Sequence, residues 1–199
     1  MKSLLRKLGV ILIVILLIFP QITLGQDRAF IEAQINRWIE ELRKNPDDFE
    51  TMAAIGGAYG KVGDYTKAIE YFQKAIAVNP SHADAYLGLA TSYGFLGRLD
   101  EKIAACKKAI ALKPDNTLAY VELGSAFWRA EKYKESVKVL KEAVRLKPDF
   151  ADAHLLLGIA YISLGYRDLA IKECKTLMQI DSVLANQLKG VIDSAEGKK

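Results

Sequence analysis

Apolar residues along this chain recur on two scales. Locally they fall at helical spacing: Met52, Ile55 and Tyr59 stand at i, i+3 and i+7, and Ala68, Phe72 and Ala75 form a second stripe a little further on. At longer range the whole pattern returns every 34 residues, in step with Pro46, Pro80, Pro114 and Pro148. Between the two stripes of a unit stand Gly63, Gly97 and Gly165, where a tight turn needs a residue tolerant of positive φ. Each proline ends the second helix, because its ring cannot continue one. Ser81, Asp115 and Asp149, just after their prolines, are placed to accept the free amides that open the next helix. The pattern predicts helical hairpins. One hairpin cannot bury both stripes, so the units must stack.

Cut at this period, the chain gives units at 49–82, 83–116, 117–150 and 151–184. Their seventh positions are Ile55, Leu89, Leu123 and Leu157. Their eighth are Gly56, Ala90, Gly124 and Gly158, and their eleventh are Tyr59, Tyr93, Phe127 and Tyr161. These columns resemble the tetratricopeptide repeat family. The resemblance implies an all-α, right-handed α-solenoid, whose role is to hold other proteins. Residues 27–46, with Phe30, Ile35, Trp38 and Leu42, read as an N-terminal capping helix. Residues 184–195, with Leu184, Leu188, Val191 and Ile192, read as a closing helix with a polar outer face, before a frayed tail at 196–199. Ten helices result. Three departures stand out. Lys102 occupies a crossing column otherwise filled by Ala68, Ser136 and Ala170, where it is expected to snorkel to the edge. Glu131 replaces the turn glycine, and Ser182 the fifth proline.

Residues 1–25 belong to another pattern. Lys2, Arg6 and Lys7 precede the unbroken apolar run Leu8–Phe19, which Pro20 ends, and small residues flank Leu24 in Thr23-Leu24-Gly25. This reads as an export signal cleaved before Gln26, or as an uncleaved membrane anchor. Both send the repeats out of the cytoplasm, to a periplasmic or other extracytoplasmic location, with the cations held inside. Without these three cations the chain keeps 25 of its 28 basic residues against 24 acidic ones. That balance argues against nucleic acid as a partner. Cys106 and Cys174 fall in the same column two units apart, about 20 Å in a stack of hairpins, which is too far for a disulfide.

Nothing in the chain suggests catalysis, a cofactor or a metal: no metal-ligand spacing, phosphate-cradling loop or nucleophile elbow occurs. His154 reads as a packing residue. In the family that the repeats resemble, unit positions 2, 5, 6, 9, 12 and 13 line a concave groove. Carried over, the resemblance implies a peptide-binding groove of Leu87, Thr91 and Phe95 in unit two and Leu118, Val121, Glu122, Ser125 and Trp128 in unit three. Unit four adds Leu155, Ile159 and Ile162. Gly60 and Gly94 leave space at the positions that Trp128 and Ile162 fill. The residues with which chaperone-adaptor members grip a C-terminal carboxylate are replaced here by Ala53, Gly57, Gly88, Leu118 and Glu122, so chaperone-tail binding is not expected. Glu50, Asp84 and Asp152 form an acidic rim with Glu122, either complementing helix N-termini or preferring basic groups. Trp128 has two readings, a groove anchor or inter-unit packing, because Phe127 already fills the core column. The expected function is a non-catalytic scaffold for an apolar or amphipathic segment. The alternative is a self-associating structural component of an envelope assembly.

Overall fold

The computed structural model describes residues 20–196 and the side chains of residues 27–195. Among these there are ten α-helices and no strand: α1 (Pro20–Lys44), α2 (Phe49–Lys61), α3 (Tyr65–Val78), α4 (Ala83–Phe95), α5 (Leu99–Leu112), α6 (Thr117–Arg129), α7 (Tyr133–Leu146), α8 (Ala151–Ser163), α9 (Arg167–Ile180) and α10 (Ser182–Glu196). Each helix packs against the next along the chain, so the fold is an all-α solenoid. The apolar run Leu8–Phe19, on which the export reading rests, lies outside the described residues. No described helix is long and apolar enough to cross a membrane. α1 starts at Pro20, earlier than the expected cap, and runs through Thr23-Leu24-Gly25.

The turns inside the hairpins are made as their composition requires. Gly63, Gly97 and Gly165 adopt φ values of 82°, 73° and 78°, and Glu131 is held at 59° in the same left-handed region. That conformation crowds the Cβ of a non-glycine residue, so Glu131 is the strained member of the series. Between units the caps fall one residue later than expected. Asp48 accepts from the Thr51 amide, His82 Nδ1 from Ala85 and Asn116 from Ala119, while Phe150 offers no side-chain cap. Ser81, Asp115 and Asp149 are not the caps. The helix begins only after the residue that follows them, because residue 82 or its equivalent is the last with non-helical backbone.

The crossing of each hairpin matches a small residue to a large one. A Cβ on Gly56 would stand 3.0 Å from the Phe72 ring, and one on Gly124 would stand 2.5 Å from Leu140. Unit two brings the two sizes closer together, with Ala90 and Cys106 fully buried in one cluster. In unit four the large column holds only Cys174, and Leu188 of α10 fills the gap: a Cβ on Gly158 would meet its methyl at 2.4 Å. The closing helix thus completes the last unit's core, with Ala185, Leu188 and Ile192 buried. Its other face is not wholly polar, because Val183 and Val191 are exposed. At the opposite end Ile35 of α1 is buried against Ile55 and Ala58, with Trp38 and Ile39 beside it.

Both cysteines are free thiols. Burial pushes the Cys106 thiol up to about 12, so it stays protonated as a small core hydrophobe. His154 is 4% exposed. Its Nδ1 lies 2.7 Å from Glu173 Oε2 on α9 and its Nε2 lies 2.9 Å from the Pro148 carbonyl, tying α8 to the neighbouring helix and to the preceding loop.

Candidate functional site

The direction of the stack's curvature follows from which helices touch. First helices of successive units pack against one another, α2 on α4, α4 on α6 and α6 on α8, and the second helices do not repeat this packing. The stack therefore closes on the first-helix side, and that side is concave.

The predicted groove residues sit on α4, α6 and α8, and they differ in what they offer. Leu87, Thr91, Ser125, Leu155, Ile159 and Ile162 are half-buried on these helices, and Leu118 is exposed. The Thr91 hydroxyl donates to the Leu87 carbonyl of its own helix, which leaves it little to give a ligand. Phe95 is exposed, but one ring face is covered by Tyr65 at a centroid distance of 4.3 Å, which places it at the edge of the face. Val121 is a correction: it is 6% exposed and packs within the core of units three and four, so it presents no surface to a ligand.

Two further expectations change at the centre. Lys102 does not snorkel to an edge. Its side chain runs beneath Gly94, where a Cβ would stand 3.0 Å from Lys102 Cδ, and its ammonium reaches Glu122 on the next unit at 2.6 Å. Gly94 therefore leaves no vacant space; the lysine stem occupies it. Glu122 in turn is not a free acid of the rim, because a cation from the unit before it balances its charge. Gly57 and Gly60 do face open space. Gly88 does not, for the Phe72 ring stands where its Cβ would be, at 2.3 Å. The remaining acids Glu50, Asp84 and Asp152 are exposed in the first turns of α2, α4 and α8, where the helix dipole favours them.

Trp128 takes part in the contact between units and stays partly exposed. It is 37% exposed, and its indole N–H donates to Ser163 Oγ on the next unit at 2.9 Å. Its neighbour Arg129 reaches the other way, donating to the Gly94 carbonyl at 2.9 Å. Consecutive residues at the end of α6 thus latch it to the unit before and the unit after. The indole is fixed in place while part of its ring stays open, as a preorganised contact requires.

Past Trp128 the face ends in an open, mostly apolar depression of about 630 Å³, lined by Ile162 of α8 and by Gln187, Gly190, Val191, Ser194 and Ala195 of α10. The wall contributed by α10 was missed by the sequence reading, which assigned that helix a cap role only. The signal available was Val191 beside Gly190, an apolar residue next to one with no side chain. Among the described residues no group of three or more His, Cys, Asp or Glu side chains is placed to hold a metal ion.

Comparison with known proteins places this geometry. Tetratricopeptide repeat profiles match residues 54–117 and 151–183, and a TPR repeat profile matches 129–165. A crystal structure of MamA shares 25% identity over 81% of this chain and 94% of that one, with a TM-score of 0.73. YrrB, described as a TPR protein with an unusual peptide-binding site, shares 19% identity over 84% of this chain and 88% of its own, with a TM-score of 0.69. The first TPR domain of Spaghetti (RPAP3), solved with the HSP90 peptide SRMEEVD, shares 25% identity over 59% of this chain and 93% of its own, with a TM-score of 0.58. A comparison with curated protein sequences gives no match.

Proposed function

Because the chain belongs to the tetratricopeptide repeat family, whose members are protein-interaction scaffolds, we propose that it is a non-catalytic scaffold that holds an apolar or amphipathic peptide segment at the unit-four end of its concave face. The observation that carries this reading is the apolar depression between Ile162 and Val191, with the latched, part-open Trp128 on the adjoining unit. Apolar side chains beside a concavity are what an amphipathic helix or extended segment presses into. A carboxylate-ended tail is disfavoured, since Lys102, the cation at the groove centre, is buried and already paired with Glu122. The work would be done outside the cytoplasm, a location supported by the charged and apolar leader of residues 1–25.

Panning a random peptide library against the full chain tests the site. Enriched peptides should carry apolar residues at helical or alternate spacing and should lose affinity for the Ile162→Glu variant. Peptides that bind that variant as well as the parent would move the site elsewhere. Truncating Trp128 to Ala should weaken the same peptides by roughly 1–3 kcal/mol.

A second reading, pairing between copies, draws on Val183, which is 65% exposed at the start of α10, and on exposed Met178 nearby. Mass measured against concentration separates the two. Association that Val183→Asp abolishes supports the pairing, and a monomer at all concentrations rejects it.

A further inference from the structure

The side of the solenoid opposite the groove is strongly basic, although the repeats as a whole are nearly neutral. On α7 the buried residues are Ser136, Leu140 and Ala143, and the outward residues Lys134, Lys138, Lys141 and Arg145 are all exposed. The 34-residue register carries the charge onto the neighbouring second helices. The column of Lys141 holds Lys107 in unit two and Lys175 in unit four, and the column of Lys138 holds Lys172 in unit four. Adjacent packed helices lie about 8–10 Å apart, so these side chains spread over three units as a field of separate positive charges.

The lysines of this field are uncompensated. None of Lys107, Lys134, Lys138, Lys141, Lys172 and Lys175 is among the ion pairs formed by the described residues, which instead join Lys67 to Asp64, Lys74 to Glu70 and Lys102 to Glu122. Nearby acids are already engaged: Glu142 pairs with Arg145, and Glu173 with His154. Asp100, Glu135 and Asp168 remain, fewer than the cations they border. Unit one lacks the feature, with Gln73 where the others have lysine, and its glutamine bonds the Tyr93 hydroxyl instead.

We propose that this convex lysine field docks the solenoid on an anionic lipid surface. Phosphate headgroups form a broad layer that asks only for spread, mobile cations, and each lysine near such a layer adds to the attraction. A single-stranded nucleic acid asks for exposed aromatic rings on which bases stack. The rings beside the column, Phe127 under Lys107 and Tyr161 under Lys141, are buried. Docking by this side leaves the concave face directed away from the lipid and free for a peptide.

The test is lysine footprinting of the full chain with an amine-acylating reagent, on vesicles of phosphatidylcholine alone or mixed with phosphatidylglycerol. This reads the contact whether or not the leader also anchors the chain. Labelling of Lys138, Lys141, Lys172 and Lys175 should fall several-fold only on the phosphatidylglycerol vesicles and return at high salt, while Lys61 and Lys189 should not change. Lys138→Glu, Lys141→Glu and Lys172→Glu combined, with melting checked against the parent, should weaken the phosphatidylglycerol-dependent contact by more than about 100-fold. Equal labelling on the two vesicles, or protection of Lys61 in place of the convex set, overturns the proposal. So does protection of the convex set by heparin or DNA but not by phosphatidylglycerol, which would assign the face to a polyanion.

Discussion

The Lys102–Glu122 pair makes the sharpest physical prediction, because its two partners differ in burial. The lysine side chain is 6% exposed and the glutamate side chain 25%, with 2.6 Å between the charged atoms. At that distance the attraction is about 6 kcal/mol at an effective dielectric of 20, and most of it offsets the cost of taking the ammonium out of water. Removing Glu122 therefore strands a buried cation, whereas removing Lys102 leaves a carboxylate that water can still reach. Glu122→Ala should destabilise the protein by about 3 kcal/mol, the low end of the range for breaking a buried pair. Lys102→Met, which keeps the stem under Gly94, should cost at most about 1 kcal/mol. The double variant should be more stable than Glu122→Ala alone.

Urea unfolding of the parent, both single variants and the double variant closes the cycle. The outcome that refutes the reasoning is an equal cost for the two single variants, or a loss below about 0.5 kcal/mol for Glu122→Ala. Either result would mean that the ammonium is hydrated in solution and that Gly94 does not cover it. Partner affinity measured on Lys102→Met then shows whether the neutrality of the groove centre matters for binding.

The glycines separate by what stands over them. Gly88→Ala drives a methyl into the Phe72 ring and should cost about 1–3 kcal/mol, whereas Gly57→Ala, which faces open space, should raise stability by up to about 1 kcal/mol; thermal melting of the two variants tests the contrast. Leu188→Ala should cost about 2–5 kcal/mol, since it empties the space over Gly158, and urea unfolding showing a smaller loss would mean that α10 does not complete unit four. Cys106, its thiol raised to about 12, should resist alkylation at pH 8 in the folded protein and react at once in urea. For the leader, N-terminal sequencing of exported protein should begin at Gln26 or within a residue or two, and intact Met1 on membrane-bound material would establish an anchor instead.

Much of the fold was legible because each hairpin repeats the same demands. A turn needs a left-handed residue, so Gly63, Gly97 and Gly165 could be read directly, and a crossing needs a small residue, so the glycine column could be read too. The capping residues were misplaced by one, since prolines mark where a helix ends and not where the next one starts. At the site, the concave helices could be read, but the state of each residue could not. Lys102 stands out in the sequence as a departure and Gly94 as a gap in the groove, and nothing in the sequence links either to Glu122. Their link depends on the direction of a lysine stem across a unit boundary, which no periodicity encodes. The convex lysines were hidden in a different way. A net charge near zero averages over faces, and only the columns at Lys107, Lys141, Lys175 and at Lys138, Lys172 reveal that the charges are segregated.

In a repeat protein most departures from the common pattern are compensated by another departure close by. Ala90 enlarges where Cys106 shrinks, Leu188 supplies the bulk that Cys174 lacks, and Lys102 fills the room that Gly94 provides and meets the acid at Glu122. Such pairs keep the packing density of the stack and say nothing about a ligand. A departure whose extra surface meets no partner within the fold is different. Trp128 adds a ring that its own hydrogen bond to Ser163 does not cover, and Ile162 and Val191 border space that no side chain enters. Their apolar surface stays in water at a cost of roughly 25 cal/mol per Å², which a bound segment would recover, and this is the physical reason for placing the binding site at the fourth unit and not at the first, where Gly57 and Gly60 leave the face bare.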